Sequence, residues 1–200
     1  MGIFAYFHKK GIFEKSLNSA FISLLPKVAG VEDINKFKPI SLLGSVYKIL
    51  AKVLASRLRI VVGPYQHAFI VGRQILDDAL IANKCVDSCL KSNLSRAMCK
   101  LDIEKAYDHV SWDFLMAILE KMGFPRKWRQ WVYFCISTVH FSILVNDEAT
   151  GFFPSMKGLQ QSDPLSPLLF ILVIQSLSRL IIKATKVGFL EVIHINGSRS

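Results

Sequence analysis

The sequence predicts an α+β fold. Amphipathic stretches with apolar residues three or four positions apart indicate several long helices. Short apolar runs bounded by turn residues indicate a few antiparallel strands. The chain has 200 residues, of which 52% are hydrophobic and 20% charged, so it can bury a core and is not expected to be disordered.

The first 90 residues predict two extended segments followed by two helices. Ser19–Lys27 is short, apolar and bounded by Pro26, and Lys36–Leu43 is similar, so each is expected to be a strand or an extended segment. In Ser45–Val62, apolar residues recur at helical spacing among lysines and arginines, and a Gly-Pro pair follows as a stop signal. Gln74–Leu90 repeats the amphipathic pattern and predicts a second helix.

The second half predicts a strand, more helices and a hairpin. An apolar run over residues 97–101 predicts a strand that ends at Asp102. His140–Asn146 and Gly151–Met156 predict a β-hairpin around a turn at Asp147–Thr150. Helices are expected at Ser111–Met122, Pro125–Ser137 and Pro164–Lys186. Because Gln175 and Arg179 interrupt the apolar run of the last helix, we expect it to be a buried helix and not a membrane span.

The net charge of +10 is unevenly distributed. Residues 1–75 carry 11 Lys and Arg against 3 Asp and Glu, whereas residues 76–200 carry 14 against 12. A basic front half suggests a surface for phosphates, and a merely solvated basic face is the alternative. The four cysteines form no Cys-x-x-Cys pair, and no signal-peptide pattern is present, which predicts an intracellular location.

Two strings carry a specific resemblance. Residues 100–108 read KLDIEKAYD and place a carboxylate at the end of the predicted strand, and residues 158–167 read GLQQSDPLSP. In this order they resemble motifs A and B of reverse transcriptases of the LINE type, the non-LTR retrotransposons, with plant elements most similar. Residues 37–42 (FKPISL) and 68–74 (AFIVGRQ) resemble strings of the fingers of the same enzymes.

The resemblance implies part of a polymerase right hand, with a fingers-like region at residues 1–95 and a partial palm at 96–200. It implies an RNA template, a DNA primer and a deoxynucleotide as partners, and no membrane.

The resemblance also implies roles for individual residues. Asp102 would be a catalytic ligand in a two-ion Mg²⁺ site, and the carbonyl of Ile103 could add a second oxygen. Tyr107 would lie under the sugar of the incoming nucleotide, and Gln161 beside that nucleotide and the template base. Phosphate contacts would come from Lys38, Lys48 and Arg73. Asp108 either belongs to this pattern or caps the following helix.

The string at 158–167 departs from the family pattern at two positions. Gln160 replaces an arginine and removes a fixed positive charge. Ser162 replaces a glycine, which tolerates backbone angles that serine resists.

The sequence up to Ser200 contains no aromatic-Ala-Asp-Asp string, the motif C of the family. We therefore expect a fragment of an RNA-directed DNA polymerase, truncated before motif C and inactive alone. A non-catalytic nucleic-acid-binding relic of a retrotransposon and a barely stable, decayed product are the alternatives.

Overall fold

The computed structural model describes residues 2–61, 75–91 and 102–190. The helices of these residues are α1 (Ile3–Lys10), α2 (Ser45–Leu58), α3 (Ile75–Lys91), α4 (Trp112–Lys121), α5 (Arg126–Ser137) and α6 (Ser166–Lys186). The strands are β1 (Ser19–Pro26), β2 (Phe37–Leu43), β3 (His140–Val145) and β4 (Glu148–Pro154). This mixture confirms the predicted α+β class. The strand predicted at residues 97–101 lies outside the described residues, so the placement of Asp102 at a strand end stays a prediction.

The four strands form one sheet in the order β2-β1-β3-β4. β1 pairs with β2 antiparallel and with β3 parallel, and β3 pairs with β4 antiparallel. The register aligns Ile22 of β1 with Ser41 of β2 and Ile143 of β3. Because side chains alternate along a strand, aligned residues share one face of the sheet. The sheet therefore joins the predicted fingers segment to the predicted palm hairpin.

The hairpin between β3 and β4 is tighter than the sequence predicted. The expected turn at Asp147–Thr150 and the expected second strand at Gly151–Met156 are both wrong, because β4 begins at Glu148. The turn consists of Asn146 and Asp147, with φ values of 51° and 64°. Two consecutive positive φ values define the type I′ turn, whose twist matches the twist of paired strands, and Asn and Asp tolerate these angles better than most residues.

An aromatic cluster anchors α1, which the sequence analysis did not predict. Phe7 is buried, and its ring centroid lies 5.5 Å from Phe13, 5.8 Å from Trp131 and 5.9 Å from Phe134. The cluster brings α1 onto α5. Beside it, α2 buries one stripe, composed of Tyr47, Leu50, Ala51, Leu54 and Leu58.

The contacts divide the chain into two compact units. One contains residues 1–61 and 105–173, and so holds the sheet, α2, α4, α5 and the first part of α6. The other contains residues 62–104 and 174–200, and so holds α3, Asp102 and the rest of α6. The predicted division into fingers and palm at residue 95 stays a prediction.

Among the described helices, α6 is long and apolar enough to cross a bilayer, with a mean hydropathy of 1.8. Its first half supplies core residues, namely Leu168, Leu169, Ile171 and Leu172. Its second half exposes Leu177, Leu180 and Ile181, so the helix is less buried than the sequence predicted. Core helices pass the same test of length and composition, and a single such helix is weak evidence for a membrane span.

Candidate nucleotide site

The turn of motif A is joined to the start of motif B by three hydrogen bonds. The backbone N–H of Gly158 donates to the carbonyl of Val110 over 3.0 Å, and that of Leu159 donates to the carbonyl of Tyr107 over 2.9 Å. The indole N–H of Trp112, in the first turn of α4, donates to the carbonyl of Gly158 over 2.7 Å. The end of the motif A string is therefore connected directly to the start of the motif B string.

Gly158 allows the two motifs to approach this closely. Its φ is +80°, and a Cβ atom at this position would lie 2.9 Å from both the Cα and the carbonyl oxygen of Asp108 and 3.0 Å from the carbonyl oxygen of Tyr107. These are backbone atoms, which cannot move aside as a flexible side chain can. No side chain fits between motif A and motif B, so glycine is required by both its conformation and its size.

Tyr107 is held at its ring as well as at its backbone. The ring stacks on Phe170 of α6, with centroids 5.0 Å apart and planes 27° apart. Partial burial raises the pKa of its hydroxyl above the usual value of 10.0, so the phenol stays neutral at physiological pH. These contacts hold both the backbone and the ring of Tyr107 in place.

A cavity of about 270 Å³ adjoins this junction on one face of the sheet. Strands β1 to β4 contribute one wall, with Ile22, Pro39, Ser41, Phe141 and Phe153. The segment around motif B contributes Ser155, Lys157, Leu159, Gln160 and Gln161, and the motif A turn contributes Asp108. The predicted site residue Gln161 is exposed at the cavity, whereas its neighbour Gln160 is buried.

Asp108 does not cap the helix that follows it. The Oγ atom of Ser111 accepts the hydrogen bond from the backbone N–H of Phe114 over 3.4 Å, so Ser111 is the N-cap of α4. The carboxyl group of Asp108 is exposed and lines the cavity. Of the two alternatives that the sequence left open, the structure favours a place at the site.

Motif B continues through a strained turn into a buried carboxyl group. Ser162 has a φ of +70°, an angle that costs a residue with a Cβ atom free energy. This backbone strain was predicted at Ser162, the position where the family pattern has glycine. The next residue, Asp163, is 3% exposed and precedes α6. Its Oδ1 accepts from the backbone N–H of Leu165, and its Oδ2 accepts from the hydroxyls of Tyr47 and Ser166, each over 3.1 Å.

Burial raises the pKa of Asp163 from 3.8 to about 6, although its hydrogen bonds act in the opposite direction. Burial also raises the pKa of the Cys135 thiol well above its usual value, and the nearby Asp163 adds to this effect. Asp163 thus connects α2 to the start of α6. Its partner Tyr47 lies 116 positions away in the sequence, so no local pattern predicts this buried group.

The predicted cationic residues are not gathered at the cavity. Lys38 and Lys48 are exposed, and Lys38 alternates with the cavity-lining Pro39 along β2, which places it on the opposite face of the sheet. Arg73 lies outside the described residues. Lys157, which the sequence analysis did not single out, is the cation that lines the cavity among the described residues. Its position directly before the motif B string could have indicated that Lys157 lies near the site.

The predicted metal ligand belongs to the other compact unit. Asp102 and Ile103 are both exposed there. Across residues 2–61, 75–91 and 102–190, no group of three or more His, Cys, Asp or Glu side chains could hold a metal ion. One carboxylate and one backbone carbonyl fit part of a Mg²⁺ coordination sphere and not the whole of it.

Comparison with known proteins identifies the relatives of the chain. Residues 25–195 match the family described as reverse transcriptase (RNA-dependent DNA polymerase). The chain is 30% identical over 171 residues to the transposon TX1 uncharacterized 149 kDa protein of Xenopus laevis, an alignment that covers 84% of this chain and 13% of that protein. It is 28% identical over 171 residues to the retrovirus-related Pol polyprotein from type-2 retrotransposable element R2DM of Drosophila melanogaster. This alignment covers 84% of this chain and 16% of that protein.

A third relative is the retrovirus-related Pol polyprotein from type-1 retrotransposable element R2 of Popillia japonica. The chain is 26% identical to it over 160 residues, which cover 78% of this chain and 22% of that protein. The chain therefore spans less than a quarter of the length of each of these three relatives.

Proposed function

The chain belongs to the reverse transcriptase family, and from this we propose that it forms the nucleotide- and template-binding part of an RNA-directed DNA polymerase of a non-LTR retrotransposon. The observation that carries the proposal is the junction at Gly158, where motif A and motif B share hydrogen bonds beside a cavity. A polymerase must place the sugar, base and phosphates of one nucleotide against fixed groups, and a rigid junction serves that purpose.

In this proposal Tyr107 contacts the sugar of the incoming deoxynucleotide, and Gln161 contacts the nucleotide or its template partner. The stack of Tyr107 on Phe170 supports the first role, because a ring that cannot rotate away excludes a 2′-hydroxyl sterically. The exposure of Gln161 at the cavity supports the second role, because its carboxamide is free to donate and accept there. Lys157 is an additional candidate for a phosphate contact.

Enzymes of this family use Mg²⁺. When bound, Mg²⁺ would stabilise the negative charge of the transferred phosphoryl group. Asp102 is the proposed ligand in the described residues, with the Ile103 carbonyl beside it in sequence. Because these two oxygens are an incomplete set, the 200-residue polypeptide alone is expected to incorporate no deoxynucleotide with Mg²⁺ or Mn²⁺. Template-dependent incorporation that disappears in Asp102→Ala would contradict this expectation.

Binding of a matched nucleotide tests the proposal without requiring catalysis. The polypeptide would be mixed with a template and a primer that ends in a dideoxynucleotide, and retention of labelled nucleotides on a filter would be measured. A deoxynucleotide complementary to the template base should be retained more than a mismatched one and more than the matching ribonucleotide. Tyr107→Ala should reduce the preference over ribonucleotide, whereas Tyr6→Ala, at an exposed tyrosine on α1, should leave it unchanged. Equal retention of matched and mismatched nucleotides would overturn the proposal.

The same assay evaluates the metal ligand and the second candidate function. Asp102→Asn should weaken retention in Mg²⁺, whereas Asp87→Asn, at an exposed position of α3, should not. A non-catalytic nucleic-acid-binding relic is the second candidate, favoured by the exposed lysines of the basic front half. A relic would retain the primer and template but would not discriminate between matched and mismatched nucleotides.

A further inference from the structure

Helices α1 and α2 border a cavity of about 210 Å³ that no described residue of motif A or motif B lines. Its buried lining is apolar and consists of Phe7 of α1, Leu50 and Leu54 of α2 and Trp131 of α5, all within the unit that contains the sheet. We call this cavity the α1–α2 groove. Sites for free small molecules typically have roughly 300–1,000 Å³, so this smaller groove is better suited to a side chain that a larger partner inserts.

The exposed border of the groove is apolar on both helices. Phe4 of α1 is 46% exposed, and Ile49 and Val53 of α2 are 52% and 45% exposed. Because Ile49 and Val53 are four positions apart, they lie on one face of α2 and extend the apolar lining to the surface. Exposed apolar residues that adjoin a cavity and are bordered by charged residues are typical of an interaction site, whereas isolated ones are common on any protein surface.

The two helices that border the groove carry positive charges and no negative ones. Neither α1 nor α2 contains an aspartate or a glutamate. Their Lys and Arg residues are Lys9, Lys10, Lys48, Lys52 and Arg57. Arg57 also lines the groove, and within the described part of the chain none of these five cations forms a salt bridge. An apolar groove bordered by such cations is complementary to a partner whose apolar face is flanked by carboxylates.

We propose that the α1–α2 groove binds an acidic amphipathic helix of a partner protein, which inserts a large apolar side chain into the cavity. A helix that binds in a groove typically uses apolar residues at i, i+3 or i+4, and i+7 as anchors. The carboxylates of the partner helix lie beside Arg57 and the lysines of α1 and α2, where they accelerate association and exclude basic partners. Phosphates are bound by cations and hydrogen-bond donors, which Ile49 and Val53 are not, so the apolar border favours a protein over a nucleic acid. The inference does not depend on the proposed function.

Fluorescence anisotropy with a designed peptide tests the inference without template, primer or Mg²⁺. The probe is a labelled peptide of about 20 residues, in which a tryptophan and two leucines stand at i, i+4 and i+7 and all other positions are glutamate or alanine. One control peptide has the same composition with the apolar residues on different helical faces, and another has lysine in place of every glutamate. The polypeptide should bind the probe at least about tenfold more tightly than either control. Equal binding of the probe and the permuted peptide would overturn the inference, because charge alone would then explain the association.

Two substitutions with matched controls locate the binding site. Val53→Glu places a carboxylate at the groove and should weaken probe binding at least about tenfold, whereas Val28→Glu, at an exposed valine that does not line the groove, should change it little. Arg57→Glu should also weaken binding, whereas Lys27→Glu makes the same change of charge outside the groove and should not. Because Val53 and Arg57 are both exposed, the two groove variants should have melting temperatures similar to those of their controls. Probe binding that is unchanged in both groove variants would overturn the inference.

The other candidate occupants of the groove are a second copy of this chain, single-stranded RNA and an anionic membrane. Self-association measured by sedimentation, binding of a labelled RNA strand of mixed sequence, and binding to vesicles of phosphatidylserine and phosphatidylcholine would each be compared in Val53→Glu and Val28→Glu. Equal results in the two variants for all three measurements would support a protein helix as the occupant. A loss in Val53→Glu alone that exceeds its loss of probe binding would assign the groove to that other occupant and overturn the inference.

Discussion

The hydroxyl of Tyr47 donates a hydrogen bond of 3.1 Å to Oδ2 of Asp163, across 116 positions of the sequence. Both residues are buried, at 1% and 3% exposure. The bond links α2 to the turn that carries Ser162 and that leads into α6. It therefore fixes motif B against α2 within one compact unit.

Removal of this hydroxyl should destabilise the fold without leaving a cavity. Tyr47→Phe is expected to lower the free energy of unfolding by about 1–2 kcal/mol, because Asp163 loses one donor and keeps those of Leu165 and Ser166. The measurement is urea unfolding at neutral pH. Tyr133→Phe, at an exposed tyrosine on α5, is the matched control and should change stability by less than about 0.5 kcal/mol. Equal effects in the two variants would contradict the role of the bond.

Protonation of Asp163 should increase the stability of the protein as the pH falls from about 6 to 3.8. Its pKa is about 6 in the folded state against 3.8 ordinarily, so between these values the folded protein retains a proton that the unfolded chain releases. The contribution of this group to the free energy of unfolding is therefore most favourable below pH 3.8. It falls by about 3 kcal/mol as the pH rises to 6.

The difference between the wild type and Asp163→Asn isolates this contribution, because other carboxyl groups titrate in both proteins. Unfolding measured from pH 4 to pH 7 should show the wild type losing stability relative to the variant as the pH rises. A difference that is independent of pH would show that Asp163 titrates normally.

Substitution of Gly158 should separate the two motifs. Gly158→Ala places a Cβ atom 2.9 Å from backbone atoms of Asp108, so we expect loss of matched-nucleotide retention and destabilisation by more than about 2 kcal/mol. Gly123→Ala is a close control, because its φ is +82° and nothing lies within 4 Å of its Cβ position. The Gly123→Ala variant has the conformational strain of a positive φ, about 1 kcal/mol, but no steric clash. It should therefore retain nucleotide binding. Loss of binding in both variants would indicate a general effect of strain.

Ser162→Gly should stabilise the protein. The substitution relieves the strain of a φ of +70°, which stabilises the folded state by about 1–2 kcal/mol. Glycine also raises the conformational entropy of the unfolded chain, which lowers the free energy of unfolding by a somewhat smaller amount. We therefore expect a net gain of about 0.5 kcal/mol in the free energy of unfolding. Ser56→Gly, inside α2, should instead destabilise the fold by about 0.5 kcal/mol, because glycine disfavours a helix interior. A loss of stability in Ser162→Gly would show that its side chain makes a compensating contact.

Salt dependence should reveal whether the basic front half binds nucleic acid. Each phosphate contact contributes roughly 0.7 to 0.9 to the slope of log affinity against log salt. Combined replacement of Lys38, Lys48 and Arg73 by alanine should reduce the magnitude of the slope by up to about 3. Replacement of Lys121, Lys183 and Lys186 is the control with the same loss of charge. Equal slopes for the two triple variants in a filter-binding titration would indicate that the front half is only a solvated basic surface.

Local patterns in the sequence predicted much of the described fold. β1 begins at Ser19 as predicted, and α5 ends at Ser137 as predicted, because apolar periodicity and proline placement act over a few residues. The helix α1 was missed because its buried residue Phe7 packs against Trp131 and Phe134, which are more than 120 positions away in the sequence. A short helix of this kind depends on tertiary packing more than on its own propensity.

In the candidate site, too, local sequence strings predicted some residues, whereas residues placed by packing between distant elements were not predicted. Tyr107 and Gln161 belong to strings that are recognisable by themselves, and the structure places both beside the junction and its cavity. Asp163 and Lys157 were not predicted as site residues, because the burial of Asp163 and the position of Lys157 at the cavity arise only when separate elements pack together. Lys38 lies on the sheet face opposite to the cavity-lining Pro39, and Asp102 belongs to the other compact unit, so contact of both with one nucleotide stays a prediction.

The parallel pairing of β1 with β3 delays completion of the sheet during protein synthesis. Ser19 pairs with His140, so the two strands emerge from the ribosome 121 positions apart. At about 5–20 residues per second, β3 follows β1 by roughly 6–24 s. During this interval the hairpin of β1 and β2 has an unpaired edge, which another chain or a chaperone can occupy. Slower translation should therefore prolong the time for which this edge of β1 is exposed.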